Sequence, residues 1–323
     1  MSSSLPSVSI IIPMFNEADF IGNCLNGFMN QDYPKNKFEI IVIDGMSDDG
    51  SKDRVVEYQK KFSNIILLEN KKRITPVSFN IGIKTSNYEI VAIFSAHSIP
   101  KSDYITNAVN VLKTKQAECV GGPMDARGNS VVGKAIAHAT STPFGIGNSV
   151  FHYSKKPGYV NTVYQGFFYK ELFDKIGLFD EDLIRNQDDE MSYRIQKFGG
   201  KIYFDPRIRS IYYNRSSLGK LVKQYYQYGI FKPLVFYKTR HGMQIHHFIP
   251  SLFVFYLIGY VYFYDSLFYF GPLLIYLFLC LCFSMFSNIP LKSKIASIII
   301  YPLIHISYGL GFIFGFIKVL SKL

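Results

Sequence analysis

EIIVIDGMSDDGS, residues 39–51, decides the fold. A short apolar strand over residues 39–43 runs without alternation into Asp44, and Asp49-Gly50 marks a turn a few residues later. The segment EIVAIFSAHSIP, residues 89–100, repeats the pattern and runs into Ser95-Ala96-His97. Uninterrupted apolar runs of this length read as strands buried on both faces. Polar side chains at their carboxyl ends stand where open parallel sheets bind ligands. Around these two strands, VSIII from residue 8 and IILLE at 65–69 alternate with helical stretches near 18–29, 51–62 and 75–84. Such alternation predicts βαβ units in a sheet covered on both faces, with the first 120 or so residues forming a nucleotide-binding half-domain.

The remainder of the chain is different. Of 323 residues, 48% are hydrophobic and the formal net charge is +11, yet past Gly242 there is one acid, Asp265, and four lysines among long runs of Phe, Tyr, Leu and Ile. The charge excess therefore lies mostly in the first part. A basic surface beside an apolar tail points to anionic lipid or a phosphorylated ligand, not nucleic acid. Three apolar stretches, near 246–264, 267–287 and 295–317, each approach the length that crosses a bilayer. Lys292 and Lys294, between the second and third, favour a cytoplasmic loop there. The start, MSSSLPSVSIIIP, lacks the basic beginning and cleavage site of a signal peptide, so the first domain is expected on the cytoplasmic side. Cys24, Cys119, Cys280 and Cys282 show no metal-type spacing and read as reduced thiols.

Between these parts, VGGPMDARGNSVVGKA and a Gly-, Phe- and Tyr-rich segment near 143–168 read as irregular chain building a second substrate's pocket. Ser216 or Ser217 caps a helix through LGKLVKQYYQYGIFKPLVFYKTR, which suits either a membrane-interface helix or one packed on the domain. The expected division is a nucleotide-binding α/β domain at 1–215, an amphipathic region at 216–244 and a multi-pass membrane domain of about three helices at 245–323.

Several motifs occur in a fixed order: PMFNE at 13–17, VIDGMSDDGS at 42–51, NKKRITPVSFNIGI at 70–83, SAHSIP at 95–100, GLFDEDLIRNQDDEMSYRIQKFGGKIYFDP at 177–206 and NRSSLGKLVKQYYQYG at 214–229. Together they resemble the inverting family 2 glycosyltransferases of the GT-A fold, in particular membrane-tethered members similar to the succinoglycan glucosyltransferases of exopolysaccharide synthesis. The resemblance covers residues 7 to about 230. It implies a nucleotide-diphosphate sugar as donor, a lipid-linked glycan as acceptor, membrane lipid as a neighbour, and Mn2+ or Mg2+ as cofactor.

The resemblance places Pro13, Asn16, Glu17, Asp44, Arg73, Asn80, Ser95 and His97 on the donor side. A carboxylate accepts from the imide N–H of a base, which suits Asp44. Glu17 reads either as a base or ribose contact or as a first-turn carboxylate favoured by the helix dipole. Asp48 and Asp49 read as residues leading into the following helix. Relatives end the strand matching 90–94 in Asp-x-Asp, whose last carboxylate holds the cation. Here His97 takes that place as the expected metal ligand, and Ser95 brings a hydroxyl without charge. Inverting transfer needs a base on the acceptor hydroxyl. Asp188 inherits that role, Gln187 replaces the usual preceding Glu, and Asp189 and Glu190 are its confounders. Arg73, and Arg215 with Lys220 or Lys223, are candidates to offset the leaving diphosphate, with Gln224 on the same side. Many relatives add a His near Asn214, and none stands here. Gln224-Tyr225-Tyr226-Gln227-Tyr228 matches the Gln-x-x-Arg-Trp signature of processive synthases only faintly, and the chain has no Trp, so one sugar per binding event is expected. Alternatives are a donor-binding pseudoenzyme, favoured by Ser95 and Gln187, a polyprenyl-phosphate sugar synthase and a polymerising exporter.

Overall fold

A computed structural model describes residues 5–214, 217–262 and 267–321. The chain divides into two compact units, one of residues 1–125 and 154–212, the other of residues 126–153 and 213–323.

The first unit is the expected α/β domain. Its early elements are β1 (Val8–Met14), α1 (Ile21–Met29), β2 (Phe38–Asp44), α2 (Ser51–Gln59), β3 (Ile65–Glu69), α3 (Thr75–Thr85), β4 (Ile90–Ile93), β5 (Ser98–Pro100), α4 (Tyr104–Lys115), β6 (Cys119–Gly122) and β7 (Met124–Arg127), the last crossing into the second unit. After α5 (Val131–Ala139) and α6 (Pro143–Ile146) of the second unit, the chain returns with β8 (Gly158–Tyr159), β9 (Tyr164–Tyr169), α7 (Glu171–Ile176), α8 (Gln187–Lys197), β10 (Ile202–Phe204) and β11 (Ser210–Tyr213). Eight strands form a mixed sheet in the order β3-β2-β1-β4-β9-β6-β10-β8. β1 pairs in parallel with both β2 and β4, while β9 runs antiparallel between β4 and β6.

The apolar runs form strands because both their faces are covered. Ile10 and Ile12 point into a core shared with Leu25 and Phe28 of α1 and Ile105 and Val109 of α4. Ile11, on the opposite face, meets α3 so closely that a Cβ on Gly82 would lie 2.5 Å from its Cγ2. All seven residues of β2 are buried, Asp44 among them at 1% exposure.

The second unit comprises α5, α6, α9 (Leu218–Thr239), α10 (Ile249–Tyr262), α11 (Leu267–Met285) and α12 (Leu291–Leu320). Residues 126–153, expected within the α/β domain, belong here because Ala135, Ile136 and Ala139 of α5 share a core with Cys280 of α11 and Ile300, Tyr301 and Ile304 of α12. Ser217 caps α9, its hydroxyl accepting from Lys220 N, while Ser216 and Arg215 lie outside the described residues. α9 lies along α12 with backbones in contact. A Cβ on Gly311 would stand 2.0 Å from Tyr226 O, on Gly315 2.4 Å from Ile230 O, and on Gly229 2.2 Å from Tyr308 O. Small residues spaced i, i+4 permit this approach.

Among the described residues, one helix, α12, is long and apolar enough to cross a membrane, with a mean hydropathy of 1.8. Of the three stretches expected, this one has that length among the described residues. α10, described over 14 residues, and α11, whose described apolar part begins at Tyr269, both adjoin residues 263–266, which lie outside the described residues. Ile249, Leu252, Phe255 and Ile258 of α10 and Ile295, Ile299, Phe314 and Ile317 of α12 are exposed, an apolar surface that water alone would disfavour.

Candidate active site

Strand order locates the crevice. β2 lies on one side of β1 and β4 on the other, so the connections diverge at the β1/β4 boundary, where open sheets leave a cleft at the carboxyl ends. Register then delivers the side chains. Met14 lies opposite Asp44, and Ile11 opposite Ile93. The residues following β1, β2 and β4 therefore emerge together: Phe15 to Glu17, Asp44 to Ser47, and Ser95 to His97.

These loops are joined by their own polar groups. The Asp44 carboxylate accepts from Ser47 N at 3.1 Å and from Ser47 Oγ at 2.6 Å, a turn that holds it at the end of β2. Ser47 Oγ in turn accepts from Asn16 N at 2.9 Å. The Asn16 side chain donates to Asp48 Oδ1 at 2.8 Å and accepts from Asp48 N at 3.1 Å. Asp49 accepts from Ala18 N at 3.0 Å and from Ser51, and despite desolvation these bonds hold its carboxyl below the ordinary range. The two aspartates thus bind loop to loop, and Gly50, at φ 88°, makes the turn into α2. Asn16, Met46, Arg73 and Asn186 all adopt left-handed backbone conformations, at φ 55°, 64°, 58° and 59°. Three of them lie in the loops after β1, β2 and β3, and the fourth precedes α8.

Glu17 precedes α1, which begins at Ile21, and so is not a first-turn carboxylate of that helix. Its side chain, 8% exposed, meets His97 Nε2 at 2.7 Å across the β1/β4 boundary, and the His97 side chain is 12% exposed. Ser51 Oγ accepts from Glu17 N at 2.7 Å. Phe20 and Tyr212 stand edge-on to the imidazole, with centroids at 4.9 and 6.1 Å. Tyr212 is brought there by β11, which pairs antiparallel with β5 directly after His97. Ser95 Oγ accepts from His97 N at 3.3 Å, so its hydroxyl shapes the turn. Burial, with Tyr212 alongside, pushes the phenol of Tyr164 well up, and Tyr164 shares a hydrogen bond with Ser98 at 2.9 Å.

The other predicted residues are placed as follows. Pro13 is the sixth residue of β1, opposite Ile43. Arg73 is exposed and lies 5.6 Å from the centre of the Phe15 ring, joining the loop after β3 to that after β1. Asn80 is buried and engages backbone: Oδ1 accepts from Phe179 N at 2.9 Å, and Nδ2 donates to Phe179 O at 2.9 Å. It positions the 179–181 segment, where Glu181 pairs with Lys72 at 3.0 Å. Asp188 is exposed in the first turn of α8, and its Oδ1 accepts from Asp189 N. Gln187 Oε1 is buried without a hydrogen-bond partner among the described residues. Glu190 is buried and gripped by Arg194 through bonds of 2.6 and 2.8 Å. Arg194 also donates to the carbonyls of Ile176, Gly177 and Leu178. Gln224, in the second unit, donates to Tyr228 Oη at 2.8 Å. Sequence reasoning missed Ser47, Lys72, Glu181 and Arg194. Only Ser47, three residues after a strand-ending aspartate, carried a local signal.

Among the described residues no three His, Cys, Asp or Glu side chains cluster as a metal site. A carboxylate behind an imidazole is nevertheless the usual support of a ligating histidine, so the Glu17–His97 pair fits a cation held by one protein ligand and completed by others.

Comparison with known proteins bears on the family and the fold. Residues 9–177 match the family model described as Glycosyl transferase family 2. The chain is 38% identical over 239 residues to the dolichyl N-acetyl-alpha-D-glucosaminyl phosphate 3-beta-D-2,3-diacetamido-2,3-dideoxy-beta-D-glucuronosyltransferase of Methanococcus voltae, covering 72% of this chain and 74% of that protein. It is 26% identical to the succinoglycan biosynthesis protein ExoA of Rhizobium meliloti, over 77% of this chain and 76% of that one. In structure it is similar to the mannosyltransferase PcManGT from Pyrobaculum calidifontis, solved in complex with GDP-Man and Mn2+, at a TM-score of 0.65 and 19% identity, covering 93% of this chain and 88% of that one. That likeness is one of fold.

Proposed function

Since this chain belongs to glycosyl transferase family 2, we propose that it moves one sugar, with inversion, from a nucleotide-diphosphate donor to a lipid-linked glycan at the cytoplasmic face of a membrane. The observation that carries the acceptor class is the extended match to a relative whose name specifies a dolichyl-phosphate-linked sugar. The exposed apolar faces of α10 and α12 support it, since a membrane-held transferase meets a lipid-borne acceptor without searching bulk solution.

Asp44 receives the base N–H, and Arg73 faces the donor phosphates. Asp188 takes the proton from the acceptor hydroxyl as its oxygen attacks the anomeric carbon. The bond from that carbon to the diphosphate oxygen breaks, and the nucleoside diphosphate leaves with the electron pair. Glu190 is held by Arg194 and belongs to the fold. Gln187 Oε1 accepts from a sugar hydroxyl, which would satisfy its buried oxygen. His97 would hold a divalent cation, which when bound offsets charge on the leaving diphosphate.

The test is release of nucleoside diphosphate from a panel of sugar nucleotides by the detergent-purified chain, with membrane lipid extract and with or without Mn2+. Release with one donor, dependent on extract, is the expected result. Donor binding without release across several acceptor extracts would overturn the proposal.

A further inference from the structure

The first residue of interest lies one layer behind the site. Where Asp-x-Asp would end the strand, Ser95-Ala96-His97 brings no negative charge to a cation. Glu17 lies beyond the imidazole, its Oε1 2.7 Å from Nε2, with both side chains nearly enclosed. A carboxylate oxygen accepts, so Nε2 is the donor across this contact. The ring cannot easily turn away: Phe20 and Tyr212 flank it, Ser95 Oγ holds its backbone N–H, and Ser51 Oγ holds that of Glu17.

We propose that Glu17 is a positioning residue that commits His97 to the Nε2–H tautomer, directs Nδ1 to the donor's cation, and supplies behind the ring the negative charge that the Ser95-Ala96-His97 motif lacks. The inference rests on the reading of His97 as the cation ligand given above. The second carboxylate of the motif has, on this account, moved to the loop after β1, 80 residues away in the chain and adjacent across the β1/β4 boundary. Hydrogen bonding at Nε2 also raises the basicity of the nitrogen that meets the metal.

Two readouts test it in the full chain, detergent-solubilised. Two-bond 1H–15N correlation of 15N-histidine-labelled protein, with His97 identified by its loss in His97→Ala, is expected to show the Nε2–H tautomer in the wild type and in Glu17→Gln, whose amide oxygen still accepts. Glu17→Ala loses that preference. Mn2+ affinity, read by EPR of the free ion with UDP or GDP present, is expected to fall ~10- to 100-fold in Glu17→Gln and at least as far in Glu17→Ala. Thermal unfolding of each variant confirms that it is folded. An Nδ1–H tautomer in the wild type overturns the proposal. So does Mn2+ binding that is lost in His97→Ala but unchanged in both Glu17 variants, an outcome that leaves His97 itself as the ligand. If the wild type fails to bind Mn2+ with either nucleotide, both readings fall.

Discussion

Asp188 and Glu190 stand two residues apart in one acidic run, and replacing each by its amide separates a base from a structural anion. In Glu190→Gln the half-buried Arg194 keeps its three carbonyl partners but loses a carboxylate that it grips through two bonds. Breaking a largely buried charge pair costs about 3–5 kcal/mol when the other charge is left unpaired. Those carbonyls and the amide oxygen lower this to about 2–3 kcal/mol. For a domain of this size each kcal/mol moves the melting temperature by roughly 2–4 °C, so a fall of about 4–12 °C is expected. Below that temperature turnover should stay within a few-fold of wild type. Asp188 is exposed, so Asp188→Asn should shift stability by no more than about 0.5 kcal/mol. Its turnover should drop ~100- to 10,000-fold, the usual contribution of a positioned base, with donor binding retained. Thermal unfolding and release of nucleoside diphosphate, measured on the same preparations, decide the matter. A stable Glu190→Gln without activity, beside an active Asp188→Asn, would refute the assignment.

Two further outcomes follow from packing and burial. Gly311→Val would place a Cβ about 2.0 Å from Tyr226 O, so α9 must separate from α12, and limited proteolysis should cleave within α9 at protease levels that spare the wild type, whereas an unchanged digestion pattern would contradict the contact. Burial holds His152 down to about 3, below its ordinary 6.5, and its buried Nδ1 has no hydrogen-bond partner among the described residues. The unfolded chain therefore takes up this proton first, so stability falls as pH drops from 6.5 toward 3, by about 2 kcal/mol at pH 5. His152→Phe should flatten that acid limb in thermal unfolding measured between pH 7 and 5, and an equal slope in both proteins would exclude His152 as its source.

What could be read from the chain alone depended on how local the cause was. β2 and β4 were legible because an unbroken Val/Ile run has few uses other than a doubly covered strand, and Asp44 and His97 were legible because each lies just past such a run. The pairing of Glu17 with His97 was not, since strand order and not spacing brings them together. Nor did the acidic run reveal which member turns inward. Each residue advances ~100° around a helix, which leaves Asp188 outside and carries Glu190 to Arg194. Residues 126–153 looked continuous with the α/β domain because α5 finds its partners, Ile300 and Tyr301, more than 150 positions later. In the apolar tail, composition marked α12, whose 30 residues are long and apolar enough to cross a membrane.

The left-handed residues at Asn16, Met46, Arg73 and Asn186 bear on how this enzyme would respond to selection in the laboratory. Side chains in that conformation carry of order 1 kcal/mol of strain that glycine relieves. A screen for heat resistance alone would thus be drawn to glycine at these four positions, and so toward the rim of the ligand cleft and the start of α8. Variants gained that way would last longer while losing the Asn16 clasp on Asp48 and the Arg73 contact with Phe15. Libraries meant to harden the protein without dulling it are better aimed at the outer surfaces of α2 and α4.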